Sequence, residues 1–209
     1  ALGSPAGNQA PRKERSAIRH LEHLHKTPSA WDGQFARGMR DWVQHVASNA
    51  QLREWASVPD YNILMQTGGP IKAIDIDISD AGFADAIERV ICQTLGVQLP
   101  ARYRDNSGNR TLLFRLDCNT PLNRRAIIVA NAVKDGKTVV SKQQAIELLA
   151  SGQQTALAGT HPSGARFKMR NLDVMRGIPV VSLAKLTDVW DQLRKAYDPS
   201  SKALIVSEE

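Results

Sequence analysis

The chain has 209 residues, 42% of them hydrophobic, which is enough for one sizeable core and too few for two large domains. Its 27 Lys and Arg outnumber 21 Asp and Glu, and the net charge of +6 suits a phosphate-rich partner without requiring one. Two isolated cysteines, Cys92 and Cys118, argue against a disulfide framework or a paired-ligand zinc site and for a reducing compartment. With no apolar run long enough to span a bilayer and no signal-peptide pattern, a soluble cytoplasmic protein is expected.

Residues 1–13 are small, polar and Gly- and Pro-bearing, and read as a disordered leader or expression remnant, leaving 14–209 as a single domain. Residues 14–25 show helical spacing at Ile18, Leu21 and Leu24. His20, His23 and His25 beside them lack acidic or Cys partners and read as the solvent side of that helix. A second helix is expected over 33–47, with Phe35, Met39, Trp42, Val43 and Val46 as its apolar side, and a short one over 51–57. Pro59-Asp60 turns the chain into a strand at 61–65, and Thr67-Gly68-Gly69-Pro70 makes a tight turn before the strand 73–78.

Residues 81–95 read as a helix with Phe83, Ile87, Val90 and Ile91 inward and Gly96 as its C-terminal stop. An arginine-rich loop from 102 to 110 leads into a strand at 111–116, and another strand covers 126–130 before a turn at Asp135-Gly136. Residues 144–149 satisfy helix or strand on propensity. Gly152 suggests that 146–149 pairs with a strand over 153–160. A short strand near 166–169, the run Pro179-Val180-Val181 and a Ser182-capped amphipathic helix over 183–197 complete the pattern. Mixed elements with mostly short strands favour an α+β sheet covered by helices over a doubly wound parallel one.

In a strand, residues two apart share a face, so Asp75 and Asp77 project together while Ile74, Ile76 and Ile78 fill the other side. Two adjacent carboxylates need exposure or a bound cation, and Mg²⁺ or Mn²⁺ prefers such oxygen ligands. Two-metal phosphoryl transfer commonly takes a third carboxylate from another strand. Among Asp117, Glu147, Asp173, Asp188 and Asp191, Glu147 repeats the apolar-acid-apolar pattern of the aspartates and is favoured, with Asp173 next. Arg102, Arg104, Arg110 and Arg115 offer guanidinium forks for phosphates, and His161, in an exposed turn, is a further donor to a phosphate or a base.

Taken in order, the segment Ala73-Ile74-Asp75-Ile76-Asp77-Ile78, the arginine-rich loop into Leu112-Leu113-Phe114-Arg115, Ile146-Glu147-Leu148 with its downstream Gly-Gln-Gln, and Gly159-Thr160-His161-Pro162-Ser163-Gly164 resemble the archaeo-eukaryotic primase superfamily. They are most similar to the primase-polymerase domains of phages and mobile elements, over about residues 62–169. The resemblance implies an RRM-like antiparallel sheet joined to an N-terminal α/β module. It implies DNA primase/polymerase activity in replication, with Asp75, Asp77 and Glu147 as metal ligands and catalytic residues. Arg104, Arg110, Arg115 and His161 would hold the triphosphate. The chain departs from the family at Ser107-Gly108-Asn109-Arg110-Thr111, where a histidine is usual; Arg110 or His161 is expected to take over its role.

The expected cofactors are therefore Mg²⁺ or Mn²⁺, and the expected partners single-stranded DNA template, nucleoside triphosphates and a helicase module of a longer protein. The alternatives are a metal-dependent nuclease using the same acidic pair and a non-catalytic nucleic-acid-binding replication module.

Overall fold

A computed structural model describes residues 2–5, 28–31, 36–57, 61–134, 137–173, 175–198 and 204. In chain order its elements are β1 (Leu2–Pro5), β2 (Ser29–Trp31), β3 (Ala36–Gly38), α1 (Asn49–Ala56), β4 (Tyr61–Gln66), β5 (Ile71–Asp77), α2 (Ala81–Leu95), β6 (Ala101–Arg104), β7 (Ser107–Leu116), β8 (Arg125–Lys134), β9 (Lys137–Leu149), β10 (Gln154–Ala158), β11 (Lys168–Arg170), β12 (Val180–Val181) and α3 (Leu183–Tyr197). This is a mixed α+β architecture built around a multistranded antiparallel sheet. The backbone divides into two compact units, one of Ala1–Gln66 with Gln154–Lys168, the other of Thr67–Gln153 with Met169–Glu209.

In the first unit β4 is flanked by β1 and β10, both antiparallel to it, and β2 pairs with β3. Leu2–Pro5, within the stretch expected to be a leader, is thus a paired strand. Leu64, Ala156 and Phe167 form a small buried cluster. The helix expected over 33–47 is not found in its described part: Ala36–Gly38 is a strand, and Asp41, at φ 54°, is in a left-handed conformation that no helix tolerates. α1 begins at a capping box in which Ser48 and Gln51 satisfy each other's backbone N–H groups. The helix expected at 14–25, with His20, His23 and His25, lies outside the described residues, as does the turn at Asp135-Gly136.

The second unit holds the large sheet, in the order β11-β6-β7-β5-β9-β8, with β12 parallel to β7 at Arg115 and Leu116. β5 runs through its middle, antiparallel to both β7 and β9. The side chains of Ile74, Ile76 and Ile78 are fully buried against α2 and α3, in a core with Ile87, Ile91, Leu112, Phe114, Leu186 and Trp190. α2 starts at Asp80, whose carboxylate accepts from Phe83 N–H, and stops at Gly96, whose φ of 70° suits glycine. Burying one face of the sheet under two helices leaves the other to carry polar groups.

Two expectations change here. The arginine-rich loop is a strand pair, β6 against the first half of β7, turning at Asp105-Asn106 with Arg104 opposite Ser107. Residues 146–149 do not pair with β10: β5 and β8 occupy both edges of that segment of β9, and β10 pairs with β4 instead. No helix among the described residues is long and apolar enough to cross a membrane.

Candidate active site

The sheet register assembles the site. Asp75 is the Cα partner of Thr111 on β7 and of Glu147 on β9; Thr111 in turn faces Arg102 on β6, and Glu147 faces Ala126 on β8. Residues directly opposite one another across a sheet share a face. Arg102, Thr111, Asp75, Glu147 and Ala126 therefore form one row across five strands, on the face away from α2 and α3. Asp77, two residues along β5, heads the next row on that face.

Hydrogen bonds tie the row together. Thr111 Oγ1 donates to Asp75 Oδ1 at 2.5 Å and accepts from Arg102 Nη2, which lies 3.7 Å from the same carboxylate oxygen. Asn109 Nδ2 donates to Asp77 Oδ1, and Arg124 is ion-paired with Glu147. Ser107 Oγ accepts from Arg104 Nη2 at 3.2 Å and from Asn109 N–H at 3.1 Å, joining the second arginine to the same corner. The Asp75 side chain is 27% exposed and that of Glu147 22%, so both carboxylates are open to solvent at one edge.

Two guanidinium groups crowd this corner. Burial pushes the Arg102 pKa down, opposed by the Asp75 and Asp77 charges. Burial likewise lowers that of Arg104, and the neighbouring Arg102 charge adds to the effect while Asp77 and Asp75 oppose it. Desolvated cations held against one another favour an incoming anion that offers both of them oxygens. Carboxylates and arginines gathered on one sheet face fit a ligand that carries both phosphates and a cation.

The donor set has the chemistry for a hard divalent ion, with three carboxylates on one face, two of them directly opposite across strands. Among the described residues no group of three or more acidic, His or Cys side chains converges closely enough to hold a metal. The contacts say why: Asp75 is turned toward Thr111, Asp77 toward Asn109 and Glu147 toward Arg124.

Not every expected site residue is in this row. Arg110 lies on the opposite face, opposite Ile76, where it is buried and ion-paired with Asp85 and Glu88 of α2. That is the reverse of a triphosphate contact on the Asp75 face. Arg115 shares the Asp75 face but stands four residues along β7 from Thr111, roughly 13 Å away. Asp173 accepts from Met175 N–H and Arg176 N–H in an exposed turn, and Asp117 accepts from Leu183 N–H at the start of α3.

His161 belongs to the first unit. Its Nδ1 accepts from Ser163 N–H at 3.1 Å, which leaves the neutral ring's proton on Nε2. Gly159, at φ 108°, packs against Asn62, which holds the Thr160 backbone at both N–H and C=O.

Thr111, Asn109 and Arg124 are site residues that the sequence did not single out, and Arg102, offered there as a phosphate donor, was left out of the triphosphate set. Alternation in β7 was the available signal. Leu112, Phe114 and Leu116 mark the core face, so Arg110 belongs with them and Asn109 and Thr111 with the aspartates. Neither a protein-family model nor a curated protein matches the chain.

Proposed function

We propose that the Asp75 face of the large sheet is the centre of a template-directed nucleotidyltransferase, a DNA primase/polymerase of RRM-like fold acting in DNA replication in the cytoplasm. The observation that carries this is the register that sets Asp75 beside Glu147, with Asp77 next on the strand and Arg102 at the end of the same row. Strands β5, β6, β7 and β9, with α2 between the first two, lie in the order β6-β7-β5-β9. That order supports the RRM-like reading.

Asp75, Asp77 and Glu147 would hold Mg²⁺ or Mn²⁺, which when bound supplies charge neutralisation and a more acidic 3′-hydroxyl. The protein's own groups do the rest. Arg102 and Arg104 bind the triphosphate and counter the charge that builds on pyrophosphate as the 3′-oxygen attacks the α-phosphorus. Thr111 fixes the Asp75 carboxylate, and Asn109 and Arg124 orient Asp77 and Glu147. Single-stranded template and nucleoside triphosphates are the partners of this face.

The test is primer synthesis and extension on single-stranded templates with Mn²⁺ and labelled nucleotides. Asp75→Ala and Glu147→Ala should lose about a hundredfold or more in rate, while Asp173→Ala stays active. Shortened DNA with no incorporated label would replace this reading with a nuclease. Wild-type protein that binds DNA but neither extends nor cleaves it would leave a binding module.

A further inference from the structure

Strands β8 and β9 stay paired past the end of the sheet. β9 pairs with β5 from Leu149 to Ala145, where it meets Asp77. Its pairing with β8 continues through Gln144↔Ala130 and Gln143↔Asn131 to Val139↔Ala132, Thr138↔Val133 and Lys137↔Lys134. Among the described residues these distal pairs have no third strand. The five residues of β8 from Ala130 to Lys134 thus run in a two-stranded ribbon that extends about 17 Å beyond the Asp77 end of β5. The ribbon is tied to the site at its base, where Gln144 Oε1 accepts from Ser79 N–H at 3.2 Å.

A two-stranded ribbon without a sheet behind it is marginal in water. The register of this one sets Lys134 opposite Lys137 at its far end. A partner lying along the ribbon offsets that cost. From Ala130 to Gln144 the chain carries Lys134, Lys137 and Lys142 against Asp135, a net +2. No Phe, Tyr or Trp occurs between Phe114 and Phe167, so the ribbon lacks the stacking platforms that proteins use to hold single strands. Charge without stacking suits the phosphate backbone of a duplex, and a two-stranded ribbon has the width to enter its major groove.

We infer that the β8–β9 ribbon is an arm that grips the phosphate backbone of the template–primer duplex next to the Asp75 and Asp77 face. The choice of a template–primer duplex rests on the nucleotidyl-transfer reading; the ribbon's preference for duplex phosphates does not.

The test is a variant with Lys134→Gln, Lys137→Gln and Lys142→Gln, compared with wild type. Binding to a primer–template duplex, to a single strand of the same length, and to a fluorescent nucleoside triphosphate with Mn²⁺ is measured over a range of salt. Each phosphate left without its lysine should lower the slope of log affinity against log salt by about 0.9, so all three together by about 2.7. Duplex affinity should fall about tenfold or more at 0.1 M salt, with single-strand and nucleotide binding held. Unchanged duplex affinity and slope, or an equal loss on single strands, would overturn the assignment. A wild-type protein that shows the lysine-dependent duplex slope but no incorporation would sink the polymerase reading and leave the arm standing.

Discussion

Replacing Glu88 by glutamine removes a negative charge from the helix face of the large sheet without opening a cavity. Glu88 Oε2 accepts from Arg110 Nη1 at 2.8 Å and is also ion-paired with Arg170, while the Glu88 and Arg110 side chains are only 7% and 6% exposed. Burial works against the Arg110 charge, and hydrogen bonds to Glu88 and Asp85 more than reverse this, so its pKa is raised. Glu88→Gln leaves that guanidinium with Asp85, whose side chain is 53% exposed and screened by water. Breaking a buried pair from one side costs about 3–5 kcal/mol, and the remaining aspartate puts the expectation near the lower end, about 3 kcal/mol. For a chain of this size that lowers the melting temperature by roughly 6–12 °C. Thermal unfolding of Glu88→Gln, Arg110→Met and the double variant measures it. The double variant should recover much of the loss, because it removes the stranded charge as well. If Arg110→Met leaves the melting temperature unchanged but weakens nucleotide binding as much as Arg104→Met does, the assignment of Arg110 to the helix face is wrong.

Lys72 is buried, its Nζ donates to the Gly69 carbonyl, and burial pushes its pKa below the ordinary lysine value of 10.5. A folded-state pKa below the unfolded one means that the unfolded chain binds more protons, so this residue's penalty on folding is full below the folded-state pKa and shrinks as pH rises through it toward 10.5. Lys72→Met should therefore stabilise the protein at pH 7, by a margin that narrows at pH 10; denaturant midpoints at the two pH values check it, and a constant margin would contradict the argument. At Gly108 an added Cβ would lie 2.5 Å from the Ile78 carbonyl oxygen and 2.7 Å from that of Ser79, both immovable backbone. Gly108→Ala should cost about 1–3 kcal/mol by overpacking, and an unchanged denaturant midpoint would show that β7 yields there more readily than the packing allows.

Much of the large sheet is legible in the sequence. The alternation of Ile74, Ile76 and Ile78 with Asp75 and Asp77 has one solution in a half-buried strand. The α2 boundaries followed from local chemistry, an aspartate that caps the first turn and a glycine that can take a positive φ. The first unit was less legible. Its strands β2 and β3 are three residues each, too short to carry a period, and apolar spacing from Phe35 to Val46 imitates a helix.

Alternation alone put Asp75 and Asp77 on one side of β5, and the apolar-acid-apolar pattern singled out Glu147. Which residues stand beside them was set by strand pairing, a long-range matter that no local spacing encodes. Only the register brought Glu147 opposite Asp75, drew Arg102 and Thr111 into the same row and sent Arg110 to the helix side. Local preferences act over a few residues, while a row across five strands depends on pairing between segments as far apart in the chain as Asp75 and Glu147.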